Sequence, residues 1–326
     1  MRVGIIGVGA VGTACAKAML LRGSCSEIVL IEKNDEKSQQ RVEGVAADLS
    51  HGAVLCPPTR IWAGGYEDTR DASIVVISAG INEKSGKAID RNDPRGRLLL
   101  LPDNAVIYKE ILQRITEVNR HAVILVVTDP PDPLADIAQR LAPTNPVISS
   151  GTFLDTLRFR LQLAKQLKCH PSSVEALVIG EHGTSQVYIW SSARVGTEPV
   201  LLHAARMALK AKEDWDENTF RSKVEHDVKF ANISIIEGTG ASQHGIGIVT
   251  ARLIEAMLRD EGLVAPVGVS HEQFKTTLSL PSIIGKSGVT KVLEPSLSAE
   301  ESDKLAKSAT AIREALCSLW DTGFTI

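Results

Sequence analysis

The chain has 326 residues, 44% of them hydrophobic, and carries a formal net charge of -3 at pH 7. A chain of this length and composition can bury a large core and is long for one domain, so two structural lobes are expected. Its near-neutral charge and dispersed basic residues argue against nucleic acid or an anionic membrane surface as a partner and favour a small molecule. No apolar stretch approaches the roughly 20 residues that span a bilayer.

Five cysteines are spread along the chain and never form a Cys-x-x-Cys pair: Cys15, Cys25, Cys56, Cys169 and Cys317. Their odd number and wide spacing fit neither a disulfide framework nor a zinc site, so we expect reduced thiols and no bound metal. The chain passes from Arg2 directly into an apolar run, with no targeting segment evident. Together these features predict a cytoplasmic protein.

The first 150 residues alternate short apolar strands with a helix-forming stretch. A strand over residues 3–6, a helix over 13–21 and a second strand over 28–31 together have the length of one βαβ unit. Apolar runs over residues 74–77 and 123–127 predict further strands of a parallel sheet, because such strands are covered by helices on both faces. The pattern predicts a doubly wound α/β domain.

After residue 149 the pattern changes to longer helices mixed with short strands. The expected elements are helices over residues 154–167, 219–237 and 244–259 and strands over residues 174–179 and 187–190. We therefore expect two domains, a doubly wound domain over residues 1–149 and an α+β catalytic domain over residues 150–326. The helix over 244–259 is expected to pack back on the first domain.

A glycine-rich turn, Gly7-Val8-Gly9-Ala10-Val11-Gly12, follows the first strand and opens the first helix. In this context Gly7 allows the tight turn, Gly9 lets the backbone approach a pyrophosphate, and Gly12 lets helix and strand pack closely. The free N–H groups at the start of the helix would bind the phosphates. A tight turn without a ligand is the alternative, but the context favours a Rossmann domain that binds a dinucleotide.

Glu32 stands at the end of the second strand, where an acidic residue is expected in such a domain. Its carboxylate would accept hydrogen bonds from both hydroxyls of the adenine ribose. Because the same carboxylate would repel a 2′-phosphate, NAD is favoured over NADP. The adjacent Lys33 weakens that preference a little.

Two segments beyond residue 149 carry the residue types of an acid–base site, Leu154-Asp155-Thr156-Leu157-Arg158 and Gly180-Glu181-His182-Gly183. A histidine within reach of an aspartate and an arginine is a proton donor with an orienting carboxylate and a substrate anchor beside it. A lone histidine is more often a core or surface residue. Arg160 lies on the same helix as Arg158, so a solvated face is the alternative for either arginine.

The ordered set of motifs resembles the L-lactate/malate dehydrogenase family over nearly the whole chain. The matching motifs are the glycine-rich turn with Glu32, Ala79-Gly80, Arg97 seven residues before Asn104, Thr128-Asp129-Pro130, residues 151–158, and Gly180-Glu181-His182-Gly183. Each motif alone is weak, and their ordered combination is specific.

The resemblance implies an NAD-dependent oxidoreductase that transfers a hydride reversibly between NADH and a 2-oxo acid. His182 would donate and accept the proton, Asp155 would pair with its other ring nitrogen, and Arg158 would bind the substrate carboxylate in bidentate fashion. The implied cofactor contacts are Gly7, Gly9, Val11, Gly12, Glu32, Ala79, Gly80 and Asp129. Members of the family usually form dimers or tetramers, so a homodimer or homotetramer is expected.

Arg97 resembles the mobile-loop arginine of the family, which closes over the substrate and polarises its carbonyl as negative charge develops. The loop from Gly80 to Arg97 is longer than in most members, so Arg95 is a rival for this role. An ordinary basic loop residue is the remaining alternative.

Four substrate-site positions depart from the family pattern. Asp129 stands in place of an asparagine, and a carboxylate there either has a raised pKa or is compensated by lysine or arginine. Glu83 aligns with the position that reads the substrate side chain, where it would repel a dicarboxylate. Ser242 replaces a threonine and Ala241 a tyrosine, which leaves room for a bulkier 2-oxo acid.

Two alternatives to this enzyme stay open on the sequence. A malate dehydrogenase could use loop arginines such as Arg91 or Arg95 to bind a dicarboxylate. An NAD-binding scaffold with weak activity would explain the unusual Asp129, although such a scaffold gives little reason for Asp155, Arg158 and His182 to occur together.

Overall fold

The computed structural model describes residues 1–86 and 88–325. Lys87, in the long loop, and Ile326, at the end of the second expected domain, lie outside the described residues. The strands are β1 Arg2–Ile6, β2 Glu27–Ile31, β3 Arg60–Ala63, β4 Ala72–Ile77, β5 Val123–Val126, β6 Val147–Ser149, β7 Val174–Glu175, β8 Val178–Ile179, β9 Val187–Tyr188, β10 Arg194–Val195, β11 Glu198–Pro199, β12 Leu263–His271, β13 Thr276–Gly285 and β14 Gly288–Val292. The helices are α1 Ala10–Arg22, α2 Glu36–Ala53, α3 Leu101–Val118, α4 Pro131–Leu141, α5 Phe153–Leu167, α6 Val200–Ala211, α7 Glu217–Lys229, α8 Ala231–Thr239, α9 His244–Leu258 and α10 Ala299–Asp321.

The main sheet of the described chain has the strand order β14-β13-β12-β6-β5-β4-β1-β2-β3. Its six strands from β3 to β6 run parallel, in the order 3-2-1-4-5-6. The strand order therefore reverses between β1 and β4, which is where α/β proteins of this kind bind ligands. The predicted α/β class with a doubly wound parallel sheet is confirmed.

The parallel strands are apolar on both faces because helices cover both. Ile6 packs in a core cluster with α3, α4 and α10, whereas its neighbour Ile5 packs in a second cluster with α1, α2 and α9. This alternation follows from the two-residue period of a strand. Both faces are thus removed from water, and ligands can approach this sheet at its strand ends.

Strands β12 to β14 come from the second half of the sequence but extend the same sheet. β12 pairs antiparallel with β6 through Gly268 and Ser149, and β13 pairs along the whole of β12. Helix α9 also packs on the first half, against α1, where a Cβ at Gly247 would lie 2.7 Å from the carbonyl oxygen of Ala14. The two halves of the chain therefore share a continuous core.

Two expected elements are each divided in the structure. The strand expected over residues 174–179 is two strands in different sheets, because Glu175 pairs with Arg194 of β10 whereas Val178 pairs with Tyr188 of β9. The helix expected over residues 219–237 ends and restarts at Phe230, whose φ of -101° and ψ of 7° leave the helical region. This break turns α8 towards the substrate side of the molecule.

Cys15, Cys25, Cys56, Cys169 and Cys317 are all free thiols. Among the helices in the described ranges, none combines the length and the apolar character needed to cross a membrane.

Candidate active site

A cavity of about 310 Å³ opens at the carboxyl ends of the parallel strands. Ser78 follows β4, Val127 follows β5 and Ser150 follows β6, and all three residues line it. Helices α5, α8 and α9 contribute the opposite wall. The cavity thus lies at the reversal of strand order and between the two halves of the chain.

His182 lies in this cavity, on the loop that follows β8. Gly180 fixes the base of this loop through a two-hydrogen-bond bridge with Ser279 of β13. Its φ of 85° is in the left-handed region, and a Cβ there would lie 2.6 Å from Oγ of Ser308. A glycine is therefore needed two residues before His182 for the loop to pack this closely.

Asp155, in the first turn of α5, contacts both His182 and Arg158. Its Oδ2 forms a short contact with Nδ1 of His182, and its Oδ1 accepts a hydrogen bond from Nη1 of Arg158 at 3.0 Å. Burial would raise the pKa of Asp155, but the charge and hydrogen bond of His182, aided by the two arginines Arg158 and Arg97, outweigh burial and hold the pKa well below its usual range. Asp155 is therefore a fixed anion behind the histidine.

Arg158 and Arg160 occupy different environments, although both are on α5. Arg158 lines the cavity, and its Nη2 is 3.5 Å from Oγ of Ser242 on the opposite wall. The Nε of Arg160 instead donates to the carbonyl oxygen of Ala176 at 3.0 Å. The structure thus brings together Arg158, the expected substrate anchor, and Ser242, an expected residue of the pocket wall. Arg160 lies outside the cavity.

Arg97 is buried and faces the cavity from the end of the long loop. Its Nε lies 3.1 Å from Oδ2 of Asp129, and only 9% of its side chain is exposed. Burial would lower the pKa of Arg97, but the negative charges of Asp129 and Glu83 and of more distant carboxylates outweigh it and raise the pKa. Arg97 is therefore a permanent cation, paired with the aspartate that replaces the usual asparagine.

Asp129 also faces the catalytic side of His182. Its Oδ1 lies 3.6 Å from Nε2 of the imidazole. His182 is thus placed between two carboxylates, Asp155 at Nδ1 and Asp129 at Nε2. The second carboxylate stands where an incoming acceptor would approach the imidazole proton.

Glu83 lines the cavity and faces Asp129 and Arg97. Burial raises the pKa of Glu83, the charge of Asp129 raises it further, and Arg97 opposes this effect. The substrate end of the cavity therefore contains a pair of neighbouring carboxyl groups.

The other arginines of the long loop point elsewhere. Arg95, the expected rival of Arg97, is exposed and pairs with Asp93 at 2.7 Å. Arg91 pairs with Glu237 of α8, also at 2.7 Å. Thr184, two residues after His182, donates from Oγ1 to the carbonyl oxygen of Pro94 at 2.6 Å and joins the loop to the histidine segment. In this arrangement Arg97 is the loop arginine that reaches the cavity.

The glycine-rich turn has the shape that a dinucleotide requires. Gly7 has a φ of 91°, and a Cβ there would collide with the backbone of Ala79, while a Cβ at Gly12 would collide with the carbonyl oxygen of Gly7. Gly9 has open space at its Cβ position and lines the cavity together with Val11 and Gly80. No side chain of the described residues caps α1, so its first N–H groups are free to bind phosphate.

Glu32 is held at the end of β2, next to this turn. Its Oε1 accepts a hydrogen bond from the backbone N–H of Val8 at 2.6 Å and lies 2.8 Å from Nη2 of Arg41. Arg41, on α2, was not selected from the sequence, because nothing in its spacing distinguishes it from other basic residues of a solvated helix. These two contacts fix the carboxylate next to the glycine-rich turn.

Ala79, which was expected to contact the cofactor, does not line the cavity. It packs against Gly7, and its carbonyl oxygen accepts a hydrogen bond from Oγ1 of Thr128 at 2.9 Å. Its backbone therefore supports the glycine-rich turn. Gly80, one residue further, reaches the cavity.

Asp132 is a site residue that sequence reasoning missed. It is fully buried on α4, its Oδ2 accepts the backbone N–H of His182 at 2.7 Å, and its Oδ1 accepts Oγ of Ser149 at 2.6 Å. Burial raises the pKa of Asp132 to about 6, although both hydrogen bonds oppose the shift. The sequence around Asp132 is rich in proline and matches no motif for a site residue. Asp132 contacts the backbone N–H of His182, and a contact with a backbone group leaves no pattern in the sequence.

Three further residues complete the walls. Asn104 accepts the N–H of Ile81 and donates to the carbonyl oxygen of Asp129, so it joins the two loops that flank the cavity. Asn232 and Ile236 line the cavity from α8. Asn104 belongs to a motif with Arg97, but the sequence did not predict a role for it. Asn232 and Ile236 belong to no motif.

In the described parts of the chain, no group of three or more His, Cys, Asp or Glu residues could hold a metal ion.

Comparison with known sequences and structures agrees with this geometry. The family model for the lactate/malate dehydrogenase NAD binding domain matches residues 1–148, and that for the lactate/malate dehydrogenase alpha/beta C-terminal domain matches residues 152–319. An L-lactate dehydrogenase of Deinococcus radiodurans is 40% identical over 96% of this chain and 97% of its own. One of Thermus aquaticus is 37% identical over 98% of this chain and 99% of its own.

Solved structures show the same fold. A lactate dehydrogenase from a Medee basin deep-sea metagenome library has a TM-score of 0.85 and 30% identity, and each chain covers 98% of the other. A minor L-lactate dehydrogenase of Enterococcus mundtii has a TM-score of 0.84 and 30% identity, covering 97% of this chain and 98% of its own. The chain belongs to the lactate/malate dehydrogenase family, and it is an NAD-dependent oxidoreductase that acts on a 2-hydroxy acid.

Proposed function

We propose that the enzyme reduces a 2-oxo acid to an L-2-hydroxy acid with NADH, and catalyses the reverse reaction, with His182 as proton donor and acceptor. The placement of His182 carries the proposal, because its Nδ1 contacts buried Asp155 while its Nε2 faces the cavity beside Arg158 and Arg97. The L-lactate dehydrogenases of Deinococcus radiodurans and Thermus aquaticus support this reaction class.

Each residue of the site has a defined part in this reaction. Arg158 binds the carboxylate of the substrate through its planar guanidinium and thereby sets the position of the ketone. Asp155 accepts the Nδ1–H of His182, which leaves the Nε2 proton for the ketone oxygen. When bound, the reduced nicotinamide supplies a hydride to the carbonyl carbon. The ketone would thereby become CH–OH, with its hydroxyl proton taken from Nε2 of His182 and its hydride from NADH.

Arg97 stabilises the charge that develops on the ketone oxygen. To do so, its guanidinium turns from Asp129 towards the substrate or bridges the two. The contact of Thr184 with Pro94 ties the loop that carries Arg97 to the segment that carries His182. Movement of the loop is thus coupled to the position of the proton donor.

The cofactor contacts follow from the same geometry. Gly7, Gly9 and Gly12 shape the turn that approaches the pyrophosphate, and Glu32 accepts hydrogen bonds from the adenine ribose. Val11, Gly80 and Asp129 line the cavity and would contact the nicotinamide half of the cofactor. Ala79 acts indirectly, through its packing on the glycine-rich turn.

A panel assay tests the reaction. NADH oxidation is followed at a fixed enzyme concentration with pyruvate, oxaloacetate and longer 2-oxo acids. Turnover of at least one monocarboxylic 2-oxo acid, with formation of the L-hydroxy acid, is expected. Oxaloacetate as the best substrate would instead support the malate alternative, which the outward pairing of Arg91 and Arg95 does not favour. NADH binding without turnover of any acid would mean a scaffold.

The domain division, assembly and location are part of the same proposal. The boundary between a cofactor domain and a catalytic domain is placed at residues 149 and 150.

A homodimer or homotetramer is supported by exposed leucines on helices of the second half, including Leu157, Leu161, Leu202 and Leu209. Free thiols support a cytoplasmic location. Light scattering at several concentrations measures the assembly, and a monomer at all of them would contradict it.

A further inference from the structure

The substrate end of the cavity has more carboxyl groups than cations to pair with them. Arg97 pairs with Asp129 at 3.1 Å, and Arg158 pairs with Asp155 at 3.0 Å and must also bind the carboxylate of the substrate. Across residues 1–86 and 88–325, no cationic nitrogen lies within 4.0 Å of the Glu83 carboxylate. Among the described residues, Glu83 is therefore the carboxyl group of this cavity with no ion-pair partner within 4.0 Å.

The environment of Glu83 favours the arrival of a positive charge. The side chain is partly buried and faces Asp129, so burial and the neighbouring charge both raise its pKa. A cation placed between the two carboxyl groups would remove the repulsion and favour the ionised form. Lys84 also borders the cavity, but its side chain is exposed and its ammonium is beyond ion-pair distance from Glu83.

The geometry also leaves space for a long side chain at this end. Arg158 fixes the substrate carboxylate and His182 fixes the ketone, so the third substituent of the substrate must extend past them. Gly240, Ala241 and Ser242 line the wall there with small side chains. Because Glu83 lines the same cavity, its carboxyl group is available to the end of a side chain of several carbon atoms.

We propose that the substrate of the enzyme is a 2-oxo acid whose side chain ends in a cation, a guanidinium or an ammonium group, which Glu83 binds as an ion pair. This inference rests on the proposed function and uses the same hydride and proton transfers. An apolar side chain leaves Glu83 without a partner, and a side-chain carboxylate is repelled by it. Asp129 adds to the attraction, since its carboxyl group neighbours Glu83 and lies 3.6 Å from Nε2 of His182.

Initial rates with NADH and four acids of defined charge test this assignment. The acids are 5-guanidino-2-oxopentanoate as the cation, 2-oxohexanoate as an apolar chain, 2-oxoadipate as the anion, and pyruvate as the reference. The expected kcat/KM for the guanidino acid exceeds that for 2-oxohexanoate by about tenfold or more, and 2-oxoadipate is the poorest substrate, since a charged hydrogen-bonded pair contributes more than a neutral contact.

A charge-removing variant assigns the preference to Glu83. In Glu83→Gln the guanidino acid loses about tenfold or more in kcat/KM, whereas 2-oxoadipate gains. The matched control is Glu272→Gln, which removes an exposed carboxylate outside the cavity and leaves the substrate order unchanged. Titration of NADH fluorescence confirms that the variant is folded and binds cofactor.

The two proposals fail in different ways. If pyruvate or 2-oxohexanoate is reduced and the guanidino acid is no better, the cationic substrate class is wrong and the dehydrogenase function stands. A guanidino preference that persists in Glu83→Gln also overturns the role of Glu83. If no acid is reduced, both proposals fail. If Glu83→Gln does not fold, the rates of the wild-type enzyme with the four acids still test the cationic substrate class.

Discussion

Asp129 holds Arg97 in an ion pair within the cavity, with Nε of the arginine 3.1 Å from Oδ2 of the aspartate. The family usually has an asparagine at this position, which would leave the arginine free to meet the substrate. The aspartate adds a negative charge beside the reacting carbonyl, and the arginine compensates it.

The first prediction concerns removal of that charge. Asp129→Asn is expected to raise kcat/KM for pyruvate by about tenfold, or about 1.4 kcal/mol, because it releases Arg97 and removes repulsion of the substrate carboxylate. Steady-state kinetics measure the change. Asp71→Asn, the same substitution at an exposed aspartate outside the cavity, serves as the control. A fall of kcat/KM in Asp129→Asn would show instead that the carboxylate is required for turnover.

The proton donor is tested by His182→Asn. We expect a loss of about a thousandfold in kcat, because an amide cannot deliver the proton, and an unchanged dissociation constant for NADH. Stopped-flow rates and fluorescence titration measure the two quantities. His121→Asn, at an exposed histidine outside the cavity, should behave as wild type. Turnover close to wild type in His182→Asn would contradict the assignment.

The sequence predicted the parts of the site that depend on local patterns. The glycine-rich turn, Asp155, Arg158 and His182 each belong to a short motif, and the structure brings Asp155, Arg158 and His182 together. The sequence also suggested that a basic group compensates Asp129. It could not show that this group is Arg97, because the pair joins two loops that only the fold brings together.

Other features were missed because their signals are tertiary. The hairpin of β12 and β13 was not predicted, although it extends the parallel sheet. Phe230 divides one helical pattern into α7 and α8, since α7 packs on α5 whereas α8 lines the cavity. Asp132 acts through the backbone N–H of His182, and residue type alone does not reveal such a contact.

Arg158 and Arg160 form a matched pair for testing the substrate anchor. Arg158→Lys is expected to raise KM for the 2-oxo acid by about a hundredfold, because an ammonium cannot bind a carboxylate through two parallel hydrogen bonds. Arg160→Lys, two residues along the same helix, should change KM little, since its guanidinium bonds to a backbone carbonyl outside the cavity. Equal effects of the two substitutions would refute a specific anchor.

Glu32 is expected to control both cofactor affinity and cofactor choice. Glu32→Gln should raise the dissociation constant for NADH by about tenfold and bring the dissociation constant for NADPH closer to that for NADH. The amide no longer repels a 2′-phosphate, and it leaves Arg41 free to bind this phosphate. Fluorescence titration with both cofactors measures this. Glu43→Gln, at an exposed position of α2, is the control. An unchanged preference for NADH in Glu32→Gln would place the discrimination elsewhere.

The last prediction concerns Asp132 and the pH dependence of stability. Its carboxyl group is buried against Ser149, Ser279 and the backbone of His182, with Glu181 nearby, and burial raises its pKa to about 6. In the unfolded chain an aspartate ionises near about pH 4. The folded protein therefore binds an additional proton between about pH 4 and pH 6, and its stability falls as pH rises through this window.

Asp132→Asn removes this titration while keeping one oxygen to accept the N–H of His182. Relative to the variant, the wild type should lose about 2 kcal/mol of unfolding free energy as pH rises from about 4 to about 7, since its pKa lies about two units above the unfolded value. Urea denaturation of both proteins at several pH values measures the difference. Parallel stability curves would mean that folding does not raise the pKa of Asp132, and the burial of this carboxyl group would then be offset by its hydrogen bonds.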